Sequence, residues 1–378
     1  MKLNIPKLSF LFLLRFKFYC FTLLAFVFIS SCSESGEYVD SFQWKYSTPQ
    51  DQNLNGDLLG QLNQKINNGD FGEIHSLLIM RNGYLVFENY YQGFSQNQKH
   101  QIYSVTKSVT SALIGIAFDQ GKLTSVDHKL LSFFPEYSAI SNLDSNKKKI
   151  KLEDVLTMRS GLSWDEFSYP FSDPRNSINK LMSSSDWVKH VLDLPMVYEP
   201  GVRRNYNTGN TIFLAGILKN VYGMQAGNLA RQYLFNHLGI SDYEWETGAL
   251  GITNTGWGLH LKPRDMIKFG LLYLKRGIWE GTRIISENWI RTSTKNYVYV
   301  SGGFSYGYHW WMMPLENISG HTSNPDDVTI AWGYGGQFIF VIPQLNMVVV
   351  STANNKEGDD DQLTIKFLKD YIFKSVIN

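Results

Sequence analysis

Cysteine is almost missing from this chain: 378 residues carry two, Cys20 and Cys32. That supply excludes a disulfide-stapled fold and a cysteine-built metal site. Histidine is present but never clustered. Its eight copies stand singly at 75, 100, 128, 190, 237, 260, 309 and 321, without a His-x-x-x-His pair, so no metal site is predicted. Charge of one sign is lacking too, with 35 basic against 34 acidic residues and a net charge of +1. No basic run with interleaved aromatics occurs, which argues against a nucleic-acid partner. Internal repeats and low-complexity segments are absent from the sequence. The apolar run from Phe18 to Ile29 is shorter than the ~20 residues a membrane-spanning helix needs.

That run follows Lys2, Lys7, Arg15 and Lys17 and ends in Ile-Ser-Ser-Cys at Cys32. A charged start, a short apolar centre and small residues before the cut read as an export signal over residues 1–31. Small residues before a cysteine resemble the lipobox of bacterial lipoproteins. The expectation is a lipid on Cys32 and a protein anchored to a membrane of the bacterial cell envelope, periplasmic or surface-facing. The alternative is an ordinary secretory signal with an incidental cysteine. Residues 32–52 then read as a polar tether, and 53–378 as the folded domain.

What the chain does possess is a distinctive stretch from Gln101 to Gly121, QIYSVTKSVTSALIGIAFDQG. Val105, Val109, Ala112, Leu113, Ile116 and Ala117 recur at helical spacing, and Gly121 stands in the usual stop position. Ser104 and Lys107 lie three apart at its start, an offset that puts both on one helix face. A serine hydroxyl needs a neighbouring base before it can attack a carbonyl. A lysine supplies one if burial lowers its pKa. The same Ser-x-x-Lys spacing at Ser145/Lys148 and Ser177/Lys180 sits in polar runs, expected to be solvated loops.

Along the rest of the chain, Asn53 to Ile66 has helical periodicity. His75–Arg81 and Tyr84–Tyr91 are predicted strands joined by Asn82-Gly83, a strong hairpin signal. Residues 125–236 read as mostly helical, including a short helix in LEDVLTMRSGLSW that ends at Gly161 and another from Ile212 to Val221. PRDMIKFGLLYLKRG is a further helix closed by Gly277. Strands are then expected at Tyr306–Met313, Val328–Trp332, Gln337–Ile342 and Met347–Ser351, and a last helix at Gln362–Ile377. Strands near both ends with helices between them predict an α/β (α+β) fold. In it one sheet is completed by both termini, flanked by helices, with the helical region inserted.

Two more stretches carry candidate chemistry. Tyr206 follows the Glu199-Pro200-Gly201 turn and offers a phenol able to carry a proton to and from a leaving group. Trp332-Gly333-Tyr334-Gly335-Gly336 precedes a strand, and its small residues allow close backbone approach to a substrate and amides for an oxyanion. Taken with these, YSVTKSVTSALIGIA, LTMRSGLSW, PGVRRNYNTGNTIFLAGIL, LKPRDMIKFGLLYLKRGIW and GYGGQFIFVIPQLNMVVV resemble the class C β-lactamase-like serine hydrolases. That family includes penicillin-binding esterases, D-aminopeptidases and 6-aminohexanoate-dimer hydrolases. The resemblance implies a β-lactamase/transpeptidase-like fold, acylation of Ser104 with Lys107 as base and Tyr206 as proton shuttle, and an oxyanion held by the amides of Ser104 and Tyr334. It implies no cofactor.

Thr208 stands where the β-lactamases carry asparagine. Ala331-Trp332-Gly333 stands where they carry Lys-Thr-Gly, whose lysine meets a substrate carboxylate. The expectation is therefore a small ester or amide, or a peptide-like molecule, as substrate. The enzyme alternative is a β-lactamase or D-Ala-peptidase acting on cell-wall-like substrates, and the other alternative is a non-catalytic ligand-binding or penicillin-sensing protein on the same fold. Trp332, Gly333, Gly335 and Tyr169 are candidate substrate contacts. Gly333 and Gly335 also read as hairpin glycines, Trp332 as packing and Tyr169 as an anchor for its own loop. Gly303-Phe304-Ser305-Tyr306-Gly307 matches a nucleophile elbow, but YHWWMMP after it reads as a strand where a helix is required, so Ser305 is rejected.

Overall fold

The structure is a computed structural model that describes residues 42–315, 324, 327–355 and 361–377. The export signal and residues 32–41 of the tether, Cys32 included, lie outside the described residues, as does His321.

Among the described residues the main sheet has eight antiparallel strands. They are β1 (Ile74–Arg81), β2 (Tyr84–Tyr90), β3 (Val298–Tyr299), β4 (Ser305–Tyr306), β5 (Trp311–Met313), β6 (Val328–Gly333), β7 (Gln337–Ile342) and β8 (Met347–Ala353). Their order across the sheet is β2-β1-β8-β7-β6-β5-β4-β3. The expected joining of the termini takes place between β1 and β8, where Leu78 faces Val350 and Ile79 faces Val349. Asn82 (φ 52°) and Gly83 (φ 81°) turn β1 into β2 with two successive left-handed residues, as the dipeptide predicts.

The strands read as unbroken apolar runs because both faces of the sheet are covered. Along β7 and β8, Ile339, Val341, Val348 and Val350 enter one core and Phe338, Phe340, Met347 and Val349 the other. Helices α2 (Val105–Asp119) and α7 (Pro263–Leu274) pack on the first face. The second face is covered by α1 (Gly56–Asn67), through Leu59, Leu62 and Ile66, and by the C-terminal helix α8 (Asp361–Phe367). The side chain of Asn55 caps α1 by accepting from the N–H of Leu58 at 3.1 Å. Between the sheet's two sequence halves lie α3 (Leu152–Leu156), α4 (Ser177–Met182), α5 (Trp187–Leu192) and α6 (Thr208–Tyr222).

Local departures from expectation have local causes. The helix expected to reach Gly161 stops at Leu156, because Met158 turns left-handed at φ 59°. The strand expected over Tyr306–Met313 is two short strands, reversed between them at Gly307 and His309 (φ 62°). α6 begins four residues before Ile212. The last helix passes into a π-helical turn over Leu368–Phe373.

Two of the polar runs are not simply solvated. Ser177 opens α4, whose Ile178 and Leu181 are buried, and the Ser177 hydroxyl accepts from the N–H of Asp165 at 2.9 Å. Lys147 is 1 % exposed and donates to the carbonyls of Ser141 and Leu192 at 2.8 and 2.7 Å. Hydrogen-bonding two chain segments is what makes burial of that ammonium tolerable.

Candidate active site

A pair of short antiparallel strands, His100–Gln101 against Leu259–Leu261, delivers the chain to the start of α2. Tyr103 takes a left-handed φ of 45°, uncommon for a bulky residue, and Ser104 follows at φ −68° as the residue capping α2. One turn on, Lys107 is 2 % exposed, and its Nζ lies 2.9 Å from Ser104 Oγ and 2.8 Å from the carbonyl of Gly256. Burial lowers the Lys107 pKa to about 8, against the opposing pull of the Glu166 charge. A lysine so placed is neutral in a useful fraction near neutral pH, and its lone pair can then take the hydroxyl proton.

Tyr206 sits against the same pair, with Lys107 Nζ 5.1 Å from its ring centroid. Burial holds its phenol well above the ordinary value, reinforced by Tyr306 and Glu166. A hydrogen bond from the Ser104 side and the Arg204 charge pull the other way. The phenol is therefore kept protonated, ready to donate. Its ring stacks on Trp311 at 6.1 Å and meets Phe167 at 5.7 Å.

Glu166, not singled out in the sequence, completes the polar centre. It is 6 % exposed and accepts from the Thr208 N–H and hydroxyl, both at 3.0 Å, and from the indole N–H of Trp164. Burial raises its pKa, and Lys107 and these donors oppose that rise. Gly256 is also new. A Cβ there would lie 2.5 Å from the Thr208 methyl, so only glycine lets its carbonyl reach Lys107 with Thr208 in place. Nothing in local sequence marks either residue: one acts from a loop, the other through backbone.

Ser104 stands between two cavities of about 260 Å³ each. The first is walled by Lys107, Phe171, Met182, Trp257 and Tyr334, the second by Phe167, Arg204, Tyr206, Trp311 and Trp332. Trp332 and Tyr334 thus reach the cleft. Tyr334 meets Tyr103 edge-on at 5.7 Å and Phe171 at 5.4 Å. Gly333 packs so closely on the strand before Ser104 that a Cβ would lie 2.3 Å from the Ile102 carbonyl. Gly335 carries the hairpin turn at φ 76°, and its carbonyl accepts from the N–H of Asn355 at 3.1 Å. Tyr169 stacks under the guanidinium of Arg175 at 4.1 Å, while its loop neighbours Phe167 and Phe171 line the cleft. Ser305 is fully buried in β4, and the element that follows it is the strand β5, where a nucleophile elbow needs a helix. His309 is fully enclosed, its pKa lowered to about 3 by burial and then by the Lys107 charge. Among the described residues, no group of three or more His, Cys, Asp or Glu is placed to hold a metal ion.

The Beta-lactamase family model matches residues 75–371, from β1 through the C-terminal helix. The chain belongs to the beta-lactamase family. Within that family it is 23% identical over 307 residues to a 6-aminohexanoate-dimer hydrolase of Paenarthrobacter ureafaciens, covering 75% of this chain and 73% of the relative. A Bacillus anthracis protein assigned provisionally to the same activity superposes with a TM-score of 0.70 at 18% identity, over 88% of each chain. A class C beta-lactamase solved with cefoxitin superposes with a TM-score of 0.61 at 18% identity, over 82% of this chain and 96% of its own. The expected β-lactamase/transpeptidase-like fold is thereby established.

Proposed function

We propose that this member of the beta-lactamase family hydrolyses an ester or amide through an acyl-enzyme on Ser104. The observation that carries this reading is the 2.9 Å contact between Ser104 Oγ and the buried Lys107 amine, whose pKa lies near 8. Ser104 Oγ gives its proton to Lys107 as it bonds to the substrate carbonyl carbon. The resulting oxyanion rests on the backbone N–H groups of Ser104 and Tyr334. Tyr206 passes a proton to the leaving alkoxide or amine as its bond to that carbon breaks. Water then gives a proton to the Lys107–Tyr206 pair as its oxygen bonds to the acyl carbon, that pair returns a proton to Oγ as the acyl–Oγ bond breaks, and the acid departs.

The alanine at position 331, in place of a lysine, favours esters and amides over β-lactams. The relative named for the 6-aminohexanoate dimer supports an amide-cleaving capacity. The export signal over residues 1–31 and lipid attachment at Cys32 belong to the same reading and rest on sequence pattern.

The test compares a short-chain 4-nitrophenyl ester with a chromogenic cephalosporin, on the chain from residue 37 onward and its Ser104→Ala variant. Ester turnover lost in the variant, with the cephalosporin spared, is the expected result. Equal turnover in the variant refutes the assignment of Ser104. Ser104-dependent cephalosporin turnover moves the reading to a β-lactamase.

A further inference from the structure

Arg204 is the least accounted-for charge in the cleft. Its guanidinium carbon lies 4.6 Å from the ring centroid of Tyr306, 4.6 Å from that of Trp311 and 5.6 Å from that of Tyr206. These π faces attract a cation but accept no conventional hydrogen bond from its edge. Its Nε and Nη2 are buried without a hydrogen-bond partner among the described residues. Its neighbour Arg203 is different, with Nη1 donating to the Tyr198 hydroxyl at 2.7 Å on the surface. The carboxylate whose charge reaches Arg204 is Glu166, but the oxygens of Glu166 are taken by Thr208 and Trp164. A guanidinium withdrawn from water and left with unpaired donors is a costly arrangement. It is relieved by a planar anion matching its fork.

The two sides of Ser104 differ in the same sense. Both cavities share Ser104, Glu166, Phe171 and Tyr334, with the Glu166 oxygens taken by Thr208 and Trp164. The Arg204 side adds this cation to its wall, whereas the other adds Ile178, Met182 and Trp257, with Lys107 committed to Ser104 and Gly256. Resting on the proposed hydrolase reading, we infer that Arg204 is a specificity residue that binds a carboxylate on one arm of the substrate, the arm lying along Tyr206, Trp311 and Trp332. The other arm is apolar. Arg204 also faces Tyr206, so a purely electrostatic role on that phenol is the competing account. That role would alter every substrate alike, whereas carboxylate recognition alters only those that carry the charge.

The experiment uses two matched pairs of esters. One pair places the charge on the acyl arm: mono-4-nitrophenyl glutarate against its methyl ester. The other places it on the leaving group: the butyrate ester of 4-hydroxybenzoate against that of methyl 4-hydroxybenzoate. kcat/KM is measured for the unsubstituted protein, Arg204→Gln and Arg204→Lys, with folding checked by thermal melting. For one pair, the anionic-to-neutral ratio should fall about tenfold to a hundredfold in Arg204→Gln, as loss of a charge-assisted hydrogen bond predicts. Arg204→Lys should keep part of it. Unchanged ratios in both variants, with turnover still dependent on Ser104, overturn the inference and leave the hydrolase reading standing. If no ester is turned over, calorimetric binding of mono-4-nitrophenyl glutarate to Ser104→Ala decides. Binding weakened by adding Arg204→Gln supports the anion site without the hydrolase reading, and binding unaffected by it overturns the anion site.

Discussion

Thr208 donates both its N–H and its hydroxyl to the carboxylate of Glu166, so the first turn of α6 and the loop after Trp164 are tied together beside Lys107. The Glu166 charge raises the Lys107 pKa, partly offsetting burial. Glu166→Gln removes that charge and lowers the Lys107 pKa further. A base active in its neutral form would then work at lower pH. The acid limb of kcat/KM should move downward, making the ratio of variant to parent activity larger at pH 6 than at pH 9. A limb that stays in place or moves upward would show that Glu166 does not act on Lys107.

In the parent protein the protonation of Lys107 sets the pH dependence. Neutral Lys107 gains population as pH rises through about 8, so kcat/KM for a neutral ester should climb until that pH and then level. Lys107→Ala should lose nearly as much activity as Ser104→Ala, since nucleophile and base act as a unit. A pH–rate profile with no inflection between 7 and 9 (about one unit either side of 8) would count against lysine as the base.

Gly333→Ala places a methyl 2.3 Å from the Ile102 carbonyl and must push β6 away from the segment leading to Ser104. Overpacking of this kind costs about 1–3 kcal/mol. If the Tyr334 amide holds the oxyanion as proposed, kcat should fall at least tenfold, because that amide is carried away from Ser104. Gly115→Ala is the control. Its methyl would meet Trp289 at 2.2 Å, well along α2, with a similar stability cost and a much smaller effect on kcat. Paired melting and steady-state measurements separate the two effects.

Lys147→Met should destabilise the fold by about 1–3 kcal/mol, by leaving the carbonyls of Ser141 and Leu192 without their donor. Lys148→Met, one residue on and exposed, should be nearly silent. Equal denaturation midpoints for the two variants would contradict this account.

Cys32→Ser tests the anchor. In a bacterial host the full chain should fractionate with membranes, and the variant should shift to the soluble envelope fraction. Equal fractionation of both forms would favour the plain secretory signal.

Ser104 and Lys107 were legible because their relation is local: three residues on one apolar helix fix both spacing and burial. The hairpin at Asn82-Gly83 and the apolar strands β6, β7 and β8 were legible for similar reasons of short range. Glu166 was not. Its sequence neighbours Asp165 and Phe167 are exposed, and only the return of the chain at Thr208 makes its position buried. Arg204 likewise looks like the second of two loop arginines until Tyr306 and Trp311 arrive from β4 and β5. The Gly256 carbonyl has no side-chain signature at all. The misplaced helix end at Leu156 and the split strand at His309 both turn on non-glycine residues in left-handed conformations, which composition does not announce.

The pairing of β1 with β8 also bears on how the chain reaches its native state. β1 is made early in synthesis, yet the strand that covers its inner edge is among the last to emerge from the ribosome. Contacts of such separation close slowly, and until they do β1 and β2 form a hairpin with an open edge prone to wrong partners. Loss of the last strand and helix by truncation would therefore abolish the sheet rather than trim it. The segment just before α1 also meets the last described residues, with Asn55 donating to the Ser375 carbonyl at 2.7 Å and Ile377 to that of Asn53 at 2.9 Å. A circular permutant that links residue 377 to residue 53 and opens the chain at a surface turn would turn this long-range contact into a local one, and should fold faster to the same sheet.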